Sequence, residues 1–365
     1  MSIILFLAVL FVLVLVHEWG HFITAKKTGM RVDEFGIGFP PKLFGYKKGE
    51  TEYTFNALPL GGFVKIFGEN KEELESGGQN VDMSRAFSSR PKWAQALVLV
   101  AGVFMNVLLA WFLFTIVLMA GVPSAVDESV ASAEAELVVV GSLVDSPAAS
   151  ALPTGVTITE VSSGDNTLSD PTPSSFSNFV SEAAPDSISV TFLQGSEEQT
   201  VSITPIQGLD AGNPDRYLIG TSLSLVEEVE RPIHIAIRDG FTATLDGLVG
   251  ISTGLYGLIR DAVFGKADFS NIAGPVGIVG MVGDAADFGW TALLSFTAII
   301  SLNLAIINLL PFPALDGGRL LFVIIETITK KEIPPRVAGY TNSVGFLLLL
   351  LLMVLVTYQD IMRLL

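Results

Sequence analysis

Four stretches of this chain are so apolar that they can fold only as membrane-buried helices, and they constrain every other reading. They cover residues 3–25, 94–121, 290–310 and 344–358. A bilayer core of about 30 Å takes about 20 helical residues to cross. Half of all residues are hydrophobic and the mean hydropathy is +0.56, which is too apolar for an ordinary soluble protein. Trp93, Trp290 and Tyr358 fall near segment ends, where amphipathic rings favour the interface. The first stretch has no basic leader and no small-residue cleavage site, so it reads as a retained span and not as a signal peptide.

Charge orients these spans. Residues 26–92 carry 11 Lys and Arg, whereas residues 122–230 carry one, Arg216, against 17 acidic residues. The positive-inside rule therefore expects 26–92 in the cytoplasm and 122–230 outside. The third span returns the chain inward, in agreement with Arg319, Lys330, Lys331 and Arg336, and the fourth takes the C-terminus out. A net charge of -16 argues against a nucleic-acid partner, which needs a basic surface. The chain has no cysteine, which excludes disulfides and thiolate metal ligands.

The first span runs without a polar residue from Ile3 to Val16 and then reads His17-Glu18-Trp19-Gly20-His21. On a helix His17 and His21 lie one turn apart and face the same way. That spacing suits two nitrogen ligands on one zinc ion, with Glu18 beside them as proton acceptor. Ionisable groups at membrane depth are costly and usually functional. With only three histidines in the chain, a third ligand is expected to be an oxygen. The third span ends in Asn308-Leu309-Leu310-Pro311-Phe312-Pro313-Ala314-Leu315-Asp316-Gly317-Gly318. Two prolines break the helix there and free backbone groups at membrane depth. Asp316 is then expected on a tight glycine turn in the leaflet of the histidine motif, where two imidazoles and a carboxylate leave a fourth position for water. Asn308 could donate to a developing oxyanion. The plainer alternative, that Asp316 and Asn308 only cap a broken helix and the histidines face cytosol, stays open on spacing alone.

Between these halves, residues 35–41 and 55–66 are apolar, aromatic and glycine-rich. They read as strands or hairpins dipping toward the membrane, with an edge that could pair with an extended substrate or simply close on itself. Residues 71–80 read as a polar loop. Residues 126–226 read as a small soluble domain, with strands at 137–140, 156–161, 187–193 and 200–204 and an exposed loop at 162–175. One short helix is expected from Pro147 with Ser146 as its cap, and another at 174–183. Residues 232–264 place Ile237, Phe241, Leu245, Leu248, Leu255, Ile259 and Val263 on one helical face. An additional crossing there would separate Asp316 from the histidines, so an interfacial amphipathic helix is expected. Gly250 and Gly254 form a packing signal within it, and His234 at its polar start reads as solvated or capping.

Taken together, His-Glu-x-x-His on a first span and Asn-x-x-Pro-x-Pro-x-Leu-Asp-Gly after a third resemble the signature of site-2 proteases, the intramembrane zinc metalloproteases, and most of all the bacterial regulator-of-sigma-E protease group. The resemblance extends to Gly36-Ile37-Gly38-Phe39-Pro40, to Leu58-Pro59-Leu60-Gly61-Gly62-Phe63-Val64-Lys65 and to Gly274-Pro275-Val276-Gly277-Ile278. It implies zinc held by His17, His21 and Asp316, Glu18 as catalytic base and Asn308 as a substrate contact. It further implies that the strand around Gly61, Gly62, Phe63 and Val64 clamps substrate, and that the soluble domain is a single PDZ domain. The segment Leu152-Pro153-Thr154-Gly155-Val156 departs from the family in lacking an Asp after the glycine. The implied architecture is a polytopic α-helical membrane protein of about four spans, with a membrane-associated β region and one inserted extracytoplasmic PDZ-like α+β domain. Its divisions run 1–25, 26–92, 93–121, 122–230, 231–289, 290–312, 313–340 and 341–365. The implied substrates are single-span membrane proteins, such as anti-sigma factors or signal-peptide remnants, cut in a bacterial inner membrane after an earlier shortening cut, with lipid as the other partner. Two other classes are compatible with the residues: a membrane-bound chaperone or scaffold with a structural metal, and a metal-ion transporter. The transporter requires polar residues along several spans, and the second and fourth carry almost none.

Overall fold

A computed structural model describes residues 1–69, 82–144, 146–195, 197–210, 212–266 and 273–364; the loop expected at 71–80 lies outside them. The chain forms two compact units, one made of residues 1–119 with 232–365 and the other of residues 120–231.

The first unit holds four helices long and apolar enough to cross a membrane: α1 (Ser2–Lys27), α2 (Lys92–Ala120), α7 (Trp290–Leu309) and α9 (Pro335–Leu364). The basic Lys26 and Lys27 fall in the last turn of α1, where cations complement the helix dipole. The last span begins at Pro335, earlier than the expected start at 344. Helix α5 (Ile233–Val263) is amphipathic and stands outside that set of four. His234 is exposed at its start. A Cβ added at Gly250 or Gly254 would meet nothing within 4 Å among the described residues. The glycine-rich segment after it contains a helix that the hydrophobic pattern did not announce, α6 (Pro275–Asp287). It opens on the Gly274-Pro275 motif. The Asp360 carboxylate accepts from the Gly274 and Gly277 N–H groups at 3.0 and 2.8 Å and so caps its free donors.

Strands β1 (Val32–Lys48) and β2 (Thr51–Ile66) form one sheet with several register shifts. Residues 34–37 lie between two partners. They pair with 62–65 in the antiparallel sense and with 52–55 in a ladder whose numbers rise together, while 44–48 pair back onto 51–55. Residues 62–66 thereby form an edge, and among the described residues no other strand pairs with it. A Cβ on Gly62 would sit 2.8 Å from the Gly36 oxygen, so glycine permits this close approach. The sheet is seated on the helices through Phe22, Phe35, Ile66, Val98, Leu99 and Val323.

After α7 the chain passes through Pro311 and Pro313 and reaches Ala314 in the left-handed region at φ 75°. Asp316 then opens a helix, α8 (Asp316–Thr329), which corrects the expected turn followed by a loop. The Asp-Gly-Gly run reads as a turn, but its glycines serve packing: a Cβ on Gly317 would collide with the Leu309 and Leu310 carbonyls, and one on Gly318 with that of Phe312. The first turn of α8 is thus pinned against the end of α7.

The second unit is a mixed domain. Its seven-stranded sheet runs β3 (Val122–Val126), β9 (Thr221–Val229), β4 (Glu136–Ser142), β5 (Thr157–Ser163), β7 (Ile188–Gln194) and β8 (Glu197–Ile203), with β6 (Asn166–Ser169) paired on β5. Strands β3, β6 and β9 were not expected, and β6 occupies the supposed loop at 162–175. Helices α3 (Pro147–Ala151) and α4 (Pro173–Ala183) pack on it. Ser146 precedes α3, but its hydroxyl donates to the Gly220 carbonyl at 3.2 Å and makes no cap bond. The core consists of alternating strand residues such as Val139, Ile158, Val190 and Phe192 with Phe176 and Val180 of α4.

Candidate metal centre

His17 and His21 lie in the last three turns of α1, and both are buried. Asp316 reaches them from the first residue of α8, across 299 positions of sequence. Its Oδ2 is 2.9 Å from His17 Nε2 and 3.2 Å from His21 Nε2, and the two Nε2 atoms are 3.1 Å apart. A tetrahedral ion about 2.0–2.1 Å from each donor separates donors by about 3.3 Å. The cluster fits such an ion with little movement. Two further features agree. The His21 Nδ1 lies 2.8 Å from the Val98 carbonyl. A carbonyl only accepts, so Nδ1 carries the proton and Nε2 presents its lone pair to the centre. Gly102 of α2 leaves room at the donor end of both imidazoles: a Cβ there would be 2.5 Å from His21 Nε2 and 2.7 Å from His17 Nε2.

Glu18 shares a cavity of about 340 Å³ with His21 and Asp316. Phe63 and Val64 of β2 line the same cavity, and the Cβ position of Gly62 lies 3.8 Å from Glu18 Cγ. The open strand edge therefore runs past the glutamate. Gly61, at φ 140°, sits over Val14 of α1. The arrangement can do three things: hold a Lewis acid, take up a proton beside it, and present unpaired strand backbone to an extended chain. Asn308 is half-buried on the last turn of α7 and is not among the cavity's lining residues.

Sequence reasoning missed two contributors. Arg319 of α8 pairs with Glu69, which follows β2, and both line the cavity that Glu18 shares with His21 and Asp316. Asn106 of α2 is fully buried, with its amide nitrogen 3.3 Å from His17 Nδ1. A strongly polar residue in the middle of an apolar span was the available signal.

Two buried histidines and a part-buried carboxylate beside a glutamate, set among helices apolar enough to cross a membrane, have the form of a metallopeptidase site in a multi-pass membrane protein. The chain matches the family model described as peptidase family M50 over residues 5–352, and it belongs to that family. A relative in Clostridium perfringens, named only as a candidate zinc metalloprotease, is 37% identical over 356 residues, covering 96% of this chain and 95% of its own. The zinc metalloprotease RasP of Oceanobacillus iheyensis is 31% identical over 440 residues, 100% of this chain and 99% of that one. The regulator of sigma-W protease RasP of Bacillus subtilis is 30% identical, again over 100% and 99%. A PDZ-domain structure from Listeria monocytogenes aligns with 26% of this chain and 90% of its own at 20% identity and a TM-score of 0.21. The protein is a zinc metalloendopeptidase of the membrane, and the scaffold and transporter readings give way to that class.

Proposed function

We propose that the protein cleaves single-span membrane proteins within or near their transmembrane segment. His17, His21 and Asp316 would hold the zinc, which supplies Lewis-acid activation of water and of the scissile carbonyl when bound. Glu18 takes the proton from the attacking water and passes it to the leaving amine, so that the amine departs neutral. A transmembrane helix hides its peptide bonds, so the substrate must unwind. The edge at residues 62–66 offers the freed backbone a hydrogen-bonding partner beside Glu18. The observation that carries this reading is the convergence of His17, His21 and Asp316 within 4.8 Å, next to that edge and between apolar spans. Anti-sigma-factor-like proteins and signal-peptide remnants, already shortened by an earlier cut, are the proposed substrates; the sigma-W regulator in Bacillus subtilis supports the first. The protein then resides in a bacterial inner membrane with its site toward the cytoplasm. The domain at residues 120–231 is PDZ-like and extracytoplasmic, and it filters substrates by size. Asn308, half-buried at the end of α7, assists in holding substrate.

Co-expression with a tagged single-span substrate tests this. Glu18→Gln keeps the shape of the side chain but removes the base, so the substrate is expected to accumulate uncut while zinc content stays at the wild-type level. Normal cleavage by that variant would show that the base lies elsewhere.

A further inference from the structure

The two imidazoles of the metal centre are held differently from behind. His21 Nδ1 meets a backbone carbonyl, which can only accept. His17 Nδ1 meets the side-chain amide of Asn106, which offers a donor at one end and an acceptor at the other. The amide nitrogen faces Nδ1 at 3.3 Å, and Asn106 Oδ1 is buried without a hydrogen-bond partner. This arrangement suits a His17 whose proton is on Nε2, donating to the Asp316 carboxylate at 2.9 Å. Ligation through Nε2 demands the other tautomer. The lone pair must then be on Nε2, so the proton must be on Nδ1, and Nδ1 needs an acceptor behind it.

We propose that Asn106 is a positioning residue for zinc binding that works by turning its amide over. With Oδ1 toward His17, it accepts a hydrogen bond from Nδ1–H, fixes the Nε2-lone-pair tautomer and locks the ring toward Asp316. The imidazole stays neutral throughout, since one proton moves from Nε2 to Nδ1. The turn also gives Oδ1 the partner it lacks. Asn106 is well placed for this role: its own carbonyl accepts from the Ser301 hydroxyl at 2.8 Å, which ties that point of α2 to α7. The inference rests on His17 being a ligand, as proposed above.

The test is zinc affinity, measured by chelator competition on the full chain purified in detergent, with melting of the metal-free protein as a separate reading of folding. Asn106→Ala removes the acceptor, and zinc affinity is expected to fall 10- to 100-fold, the range for loss of such a partner. Asn106→Asp restores an acceptor and is expected to return affinity to within a few-fold of wild type. If the Ala variant does not fold, Asn106→Leu, which fills the space without a polar atom, takes its place. Wild-type affinity in Ala or Leu overturns the inference. Equal weakening in Ala and Asp also overturns it, because a purely structural role predicts that result. Loss of zinc in His17→Ala, measured alongside, confirms that His17 is a ligand. Full affinity there would refute the ligand set and the amide's role with it, whereas full affinity in the Asn106 variants beside loss in His17→Ala overturns the amide's role alone.

Discussion

Gly102→Ala is the sharpest single test of the metal centre, because ordinary helix energetics predict the opposite of what the structure predicts. Alanine in a helix interior is favoured over glycine by about 1 kcal/mol, and a Gly→Ala change in open space should stabilise α2. Here the new methyl would lie 2.5 Å from His21 Nε2 and 2.7 Å from His17 Nε2, and ordinary contact begins near 3.4 Å. The rings must therefore retreat by about 0.9 and 0.7 Å, the differences between those distances. Metal-ligand distances tolerate only about 0.2 Å. A displacement several times that tolerance is expected to lower zinc affinity at least 10-fold and cleavage at least 100-fold. The assay is zinc retained per chain after dialysis against a graded chelator, read beside cleavage of a tagged substrate. Gly254→Ala, which faces open space, is the control and should retain both. If Gly102→Ala holds zinc and cuts within threefold of wild type, the reasoning from backbone proximity to ligand geometry is wrong.

Two further outcomes are expected. Gly62→Ala puts a methyl 2.8 Å from the Gly36 oxygen and should push the strand edge away from Glu18. Cleavage should fall about tenfold with zinc content unchanged, and parallel loss of zinc would contradict that assignment. Glu50 accepts from Arg85 at 2.6 Å and from Lys26 at 2.6 Å, and these partners, Arg85 foremost, hold its carboxyl down at about 2, below its ordinary 4.5. A lowered folded-state value stabilises the fold above the unfolded value and loses that effect as pH falls through the folded one. The melting gap between wild type and Glu50→Gln should thus be full at pH 7 and shrink between pH 4.5 and about 2. A gap independent of pH would show that the cluster contributes nothing through charge.

How far each feature could be read from sequence depended on the range of the interactions that define it. His17 and His21 were legible because one helical turn is a local property, and Asp316 because two prolines end a span at a definable depth. The helix that Asp316 begins was not legible. Its glycines are dictated by the carbonyls of Leu309, Leu310 and Phe312, which no local pattern reveals. The same holds for the sheet, where residues 34–37 pair on both sides through repeated register shifts. Strands β3 and β9 find each other across most of the second unit, a pairing too distant in sequence for alternation to signal. Asn106 escaped because its meaning depends on which imidazole it touches. Asn308, read from the same motif as Asp316, stands half-buried on the last turn of α7, outside the residues that line this cavity.

The long sequence gap between His17 and Asp316 has a bearing on biogenesis. A ribosome adding about 5–20 residues per second needs roughly 15–60 s to travel from one to the other. During that interval the nascent polypeptide carries both imidazoles but lacks the carboxylate proposed to complete the set. A hydrolase assembled in this order would gain its proposed third ligand only near the end of synthesis.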